Sequence, residues 1–334
     1  MLQRMRFALR KLRGGAVCLY ENGWAYTWYH GWQKVGRALL RYGASELPYR
    51  EVRRKHVEAA RFPPSKFIRP PSADAHTLAI FAMYKPSGII DGSTWLYLNG
   101  LRSVADDLIV CSDSAVRKED VERMKNIASC GVFSSHGGYD FGSYARAFLI
   151  ARESGRLQGC DRLILANDSC IGPLFPLSSM MECMTGRRCD FWGQTSFSFH
   201  GRTHVQSYFM VFSRKIIENG ALDEFFASMP VCRSRAEVVS SCEIGLTEFL
   251  VKSGFKWDSY VPYRAVLKNP TASPCALVRR YSCPLVKIKA MTGESYEPID
   301  MVHGVVRNAN PAVYDAFSGV SSDWEPVPCT AERW

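Results

Sequence analysis

The feature that most constrains this chain is an alternation, between residues 76 and 168, of short apolar runs with amphipathic segments. HTLAIFAMY (76–84), DLIVCSD (107–113), GVFSSH (131–136) and RLILAND (162–168) read as strands. Between them, residues 92–104, KEDVERMKNIA (118–128, opened by its acids) and the segment from Gly142 to about Ser154 read as helices. Parallel neighbours need a crossover between them, so this order predicts an α/β fold with a mostly parallel sheet flanked by helices.

In such sheets ligands bind beyond the carboxyl ends of the strands. Those ends carry Asp113, the run His136-Gly137-Gly138-Tyr139-Asp140, and Asn167-Asp168-Ser169. Packing alone does not require acids or amides at the ends of three apolar strands. Each residue singly also suits a helix N-cap or a turn.

Charge is distributed unevenly. The whole chain is +10, yet residues 1–70 hold a net +11 and residues 71–334 a net −1. Met1, Met5, Leu9 and Leu12 recur at helical spacing with Arg4, Arg6, Arg10, Lys11 and Arg13 between them. That pattern suits a basic amphipathic helix on an anionic membrane surface, or a solvated terminus. No apolar run reaches the roughly 18–20 residues that cross a bilayer, and the arginines interrupt any secretory core. The twelve cysteines include no CxxC pair, which fits a reducing compartment. The expected location is therefore cytoplasmic, peripheral on the inner face of the membrane. Residues 1–72 read as a basic, aromatic-rich extension closed by the Pro-rich FPPSKFIRPPS (62–72), a linker, and residues 73–334 as the main domain.

Four ordered blocks, HGGYDFGSYARAF (136–148), RLILANDSCIGPLFPLSSM (162–180), DFWGQT (190–195) and HVQSYFMVF (204–212), resemble the rhamnan synthesis protein F family of bacterial glycosyltransferases. The resemblance runs from about residue 76 to 291 and closes with SCEIGLTEFLVKSGFKW (241–257) and PLVKIKAM (284–291). It implies a GT-A-like nucleotide-sugar fold and transfer of a sugar, rhamnose favoured, from a donor such as dTDP-rhamnose. The acceptor would be a polysaccharide or lipid-linked glycan of a rhamnan, O-antigen or capsule. Where many GT-A enzymes hold a divalent metal with Asp-x-Asp, this chain has Asn167-Asp168-Ser169, so Asp168 is the single carboxylate left to hold Mg²⁺ or Mn²⁺.

Asp140 follows two glycines that let backbone approach a ligand closely, which assigns it to the ribose or diphosphate region, with a cap on the helix from Phe141 as the other reading; by the resemblance Asp113 faces the nucleobase or ribose. His136 is a substrate contact. Glu243 is the expected general base, a carboxylate at the start of a helix that continues through Leu246 and ends at Gly254; a plain N-terminal charge is the other reading. Strand alternation sends His204 and Gln206 to one face, where both could meet a sugar. Trp192 could stack on a pyranose or sit in the core, and Asp190 could bind the acceptor or serve a turn.

Other classes fit less well. A nucleic-acid binder would explain the basic terminus, but the acids on the sheet rim would repel the same ligand, so no nucleic-acid partner is expected. His200 and His204 with Cys189 do not make a zinc site, because FHGRTHV reads as turn and strand and lacks the helical i, i+4 geometry. A catalytically inactive nucleotide-sugar-binding scaffold is the alternative left open by the single acid at 167–169.

Overall fold

A computed structural model describes residues 62–71, 75–199, 201–232, 234–263 and 269–321. The basic amphipathic segment, the aromatic-rich stretch after it, the expected boundary at 72 and His200 lie outside the described residues. The described residues form twelve strands: β1 (Ser65–Ile68), β2 (Thr77–Met83), β3 (Asp107–Ser112), β4 (Cys130–Phe133), β5 (Arg162–Asn167), β6 (Cys170–Ile171), β7 (Phe191–Gly193), β8 (Ser196–Phe199), β9 (Arg202–Val205), β10 (Phe209–Ser213), β11 (Trp257–Ser259) and β12 (Val286–Lys287).

Eight of them form the main sheet in the order β1-β4-β3-β2-β5-β10-β7-β11, while β6 pairs with β12 and β8 with β9. Strand β2 is parallel to β3 and β5, β3 to β4, and β7 to β11. Only β1, on the β4 edge, and β10, between β5 and β7, run antiparallel to their neighbours in this sheet. The mostly parallel sheet flanked by helices that the sequence predicts is the architecture observed.

Every residue of β2 is buried, as a parallel strand covered on both faces should be. Leu78, Ile80 and Ala82 pack under Phe141, Tyr144 and Phe148 of the Tyr139–Glu153 helix. Ala79, Phe81 and Met83 face Trp95, Leu98 and Leu101 of the Gly92–Arg102 helix. Burying each large apolar side chain contributes about 1.5–3 kcal/mol before entropy is counted, so the central strands are the fixed part of the molecule. A third cluster joins Ile171 and Leu174 to Val302 and Val306 of the Ile299–Ala309 helix. No helix among the described residues is long and apolar enough to cross a membrane.

Three local readings are corrected. The Pro-rich stretch is not linker throughout, because Ser65–Ile68 adds a strand antiparallel to β4. HVQSYFMVF is two strands, with 206–208 forming a turn between β9 and β10. Glu243 does not begin a helix. The helical segment starts at Arg235, capped by Ser234 Oγ accepting from the Glu237 amide at 3.2 Å, passes through a π turn at Val238–Glu243, and continues as Ile244–Lys252. Gly254, at φ +87°, lies just beyond its end as expected.

Candidate active site

The polar residues at the ends of β3, β4 and β5 share one rim. Asp113 is anchored by its own amide, which donates to the Met83 carbonyl at 2.9 Å. Its Oδ1 accepts the amides of His136 at 2.5 Å and Gly137 at 2.8 Å, which bends the chain after β4. The His136 ring is committed inside the same loop, with Nδ1 accepting from the Gly138 amide at 3.0 Å and Nε2–H donating to Ser143 Oγ at 2.9 Å. These contacts let Gly137 and Tyr139 hold positive φ angles of 68° and 56° and start the next helix beside the rim.

That helix carries Asp140. Its Oδ1 accepts from the Phe141 amide and its Oδ2 from Asn167 Nδ2, both at 3.0 Å. Burial, and then the nearby Glu243 carboxylate, push the Asp140 carboxyl up to about 6 against the pull of Lys287. Asn167 Oδ1 in turn accepts from the Ser169 amide at 3.2 Å and from its hydroxyl. Asp168 Oδ2 accepts the Tyr84 amide at 3.0 Å and lies 3.2 Å from Lys85 Nζ. Lys85 also binds Asp91 at 2.7 Å, while Asp91 caps the Gly92–Arg102 helix through the Thr94 amide at 2.8 Å. Lys85 is held above its ordinary pKa: burial lowers it, and the two carboxylates outweigh that.

Glu243 lies near enough to act on the charge of Asp140. His204 Nε2 lies 3.3 Å from Glu243 Oε1, and Ser207 Oγ donates to Glu243 Oε2 at 2.8 Å. His204 is buried, and its Nδ1 faces the Arg202 carbonyl at 3.3 Å, so both ring nitrogens meet oxygen acceptors. Burial raises the Glu243 carboxyl, but His204, Lys287 and Ser207 outweigh it and hold the group below the ordinary glutamate value. Its ionised state therefore comes from these neighbours and not from a helix N-terminus.

The turn at 206–208 decides which neighbours Glu243 has. It breaks the strand alternation, so Ser207 joins His204 at the carboxylate while Gln206 turns inward, accepting from Thr195 Oγ1 at 2.8 Å. Asp190 and Trp192 are not brought to the rim. Asp190 precedes β7 and so stands at the amino end of the sheet, where it accepts from the Lys256 amide at 2.8 Å and from Lys215 at 3.0 Å. Trp192 is buried against Phe209 with ring centroids 5.9 Å apart, and Asp190 and Trp192 line a separate cavity of about 160 Å³ with Asp161 and Arg162.

The donor set around Asp168 does not fit a divalent ion held by protein ligands. Among the described residues no group of three or more His, Cys, Asp or Glu is arranged to hold a metal. A cation at Asp168 would also meet the Lys85 ammonium already there. Sequence reasoning passed over the rim's own cations, Lys85, Lys287 and Lys289. Lys85 sits just past β2, and the two lysines of PLVKIKAM stand two apart in a block already singled out, so both signals were present.

A family model described as rhamnan synthesis protein F matches residues 108–313. The chain is 26% identical over 203 residues to the uncharacterized protein y4gN of Sinorhizobium fredii, covering 60% of this chain and 51% of that one. It is 30% identical over 145 residues to the virulence protein VirA of Vibrio anguillarum, covering 42% and 45%. The chain thus spans about half the length of the curated relatives it matches. Among solved structures it is similar to the Pyrobaculum calidifontis mannosyltransferase PcManGT in complex with GDP-Man and Mn²⁺, at 12% identity and TM-score 0.36 over 87% of this chain and 86% of that one. It is also similar to residues 1–349 of TarS from S. aureus in complex with UDP, at 11% identity and TM-score 0.34 over 75% of each chain.

Proposed function

Because the chain belongs to the rhamnan synthesis protein F family, we propose that it is a glycosyltransferase moving a sugar from a nucleotide-diphosphate donor to a growing cell-envelope polysaccharide. The observation that carries this reading is the convergence of Asp113, Asp140, Asn167 and Asp168 on the carboxyl rim of the sheet, with Glu243 near Asp140 and held by His204 and Ser207. The donor lies along the rim, Asp113 at its nucleoside end. The acceptor hydroxyl attacks the anomeric carbon, the bond from that carbon to the diphosphate oxygen breaks with its electron pair, and Glu243 takes the hydroxyl proton. One displacement inverts the anomeric carbon.

Rhamnose, with dTDP-rhamnose as donor, is the favoured cargo, and a lipid-linked or polysaccharide glycan the acceptor. The basic terminus is assigned to the anionic inner face of the membrane. A second reading, a nucleotide-sugar-binding scaffold without turnover, is favoured by one observation, the single carboxylate of Asn167-Asp168-Ser169 already paired with Lys85. Incubation with dTDP-rhamnose and with UDP- and GDP-hexoses, reading nucleoside diphosphate release, separates the two. Release from one donor is expected. Binding of that donor without any release, with acceptor present, favours the scaffold.

A further inference from the structure

Two lysines of the β12 segment, Lys287 and Lys289, stand close together at the end of β5, where a diphosphate would lie. Strand β12 pairs antiparallel with β6, setting Lys287 opposite Cys170, and the Ile288 amide donates to the Ser169 carbonyl at 3.0 Å. The pairing carries Lys287 back over the end of β5. Its Nζ donates to Ser169 Oγ at 2.6 Å, lies 4.6 Å from the centre of the Tyr208 ring, and pulls on both Asp140 and Glu243. Lys289 follows in the short Ile288–Met291 helix. No carboxylate among the described residues lies within salt-bridge distance of its ammonium. Burial, then repulsion from Lys287 and Arg235, holds Lys289 below the ordinary lysine value, and the weaker pull of Glu294 and Glu243 does not restore it.

Holding like charges together in a partly buried place is unfavourable unless an anion joins them. The same rim offers no fitting set of ligands for a divalent ion. We propose that the leaving nucleoside diphosphate is neutralised by Lys287 and Lys289 in place of a protein-held metal. The proposal rests on the nucleotide-sugar reading above. As the bond from anomeric carbon to oxygen breaks, its electron pair stays on the diphosphate, and ammonium groups already in position stabilise that charge as it develops. No further reactant is needed, since the acceptor proton goes to Glu243.

The test is calorimetric titration of the full chain with dTDP, UDP and GDP, in EDTA and again with Mg²⁺ or Mn²⁺, with the matching nucleosides as controls. One diphosphate should bind in EDTA with an affinity that metal changes less than about threefold. Lys289→Met should weaken that diphosphate by about tenfold or more while leaving its nucleoside unchanged, as should Lys287→Ala, with Lys287→Arg recovering most of the loss. Lys289→Met should also keep or raise the melting temperature, because it removes a partly buried charge that no carboxylate among the described residues pairs. A lysine serving only the fold would do the reverse, losing stability and leaving the diphosphate-to-nucleoside ratio intact. Diphosphate binding that requires metal and ignores both lysines would overturn the proposal and leave the nucleotide-sugar reading standing. Absence of diphosphate binding under every condition would sink both.

Discussion

Asp140 and Glu243 lie near enough to feel each other's charge and are driven in opposite directions. Burial and its neighbour's charge raise Asp140 from 3.8 to about 6, whereas His204, Lys287 and Ser207 hold Glu243 below its 4.5 in spite of burial. Such separation is how one site keeps one carboxylate ionised beside another that takes up a proton more readily. It has a consequence for stability. The folded state binds the Asp140 proton more tightly than the unfolded chain does, so this contribution is complete below pH 3.8 and is lost as pH rises through about 6. Asp140→Asn removes that loss. The variant should gain about 1–3 kcal/mol over wild type at pH 7.5, and little at pH 4. Denaturant unfolding at the two pH values reads the difference, and parallel behaviour of the two proteins would show that Asp140 is not strained by its charge. Glu243 acts the other way, contributing stability that is lost as pH falls below 4.5 toward its folded value.

At the scale of elements, the site depends on two joints. One is the π turn at Val238–Glu243, which sets the rotation of Glu243 ahead of the Ile244–Lys252 helix; π turns often mark functional positions. The other is the β6–β12 ribbon. Gly172, at φ +149°, follows β6 where a Cβ would lie 2.4 Å from the Pro284 carbonyl oxygen. Gly172→Ala should therefore cost about 1–3 kcal/mol and, by pushing away the segment that presents Lys287, weaken nucleoside diphosphate binding as well. Chemical denaturation and titration of the variant check both effects; a stable variant with unchanged binding would mean the ribbon does not set the lysine.

The four central strands were legible because burial on both faces demands continuous apolar runs, and the rim residues followed from where those runs stop. The turn at 206–208 was not, since it contains neither Gly nor Pro. A π turn shares its side-chain preferences with an ordinary helix and leaves no mark in composition. Asp190 shows the use of chain direction: it precedes its strand, so it belongs to the other end of the sheet. Lys287 reaches Ser169 across 118 residues, a contact that local pattern does not reveal.

For the molecule as a whole, charge is divided unevenly. Residues 71–334 carry a net −1, while the net +11 lies in residues 1–70. Each Lys or Arg near an anionic surface is worth about 1 kcal/mol. Deleting residues 1–15, which hold Arg4, Arg6, Arg10, Lys11 and Arg13, should release the protein from anionic vesicles without abolishing turnover of a soluble acceptor. Co-sedimentation unchanged by the deletion would remove the membrane assignment. The central claim is that one rim binds a nucleotide sugar and that Glu243 accepts the proton of the incoming hydroxyl. The direct measurement is sugar transfer by wild type and by Glu243→Gln, with the donor that wild type turns over and with donor affinity measured in parallel. Glutamine keeps the shape but cannot take the proton, so turnover should fall by about 10²–10⁴-fold while donor affinity stays within about twofold. Transfer by Glu243→Gln at close to the wild-type rate would contradict the account.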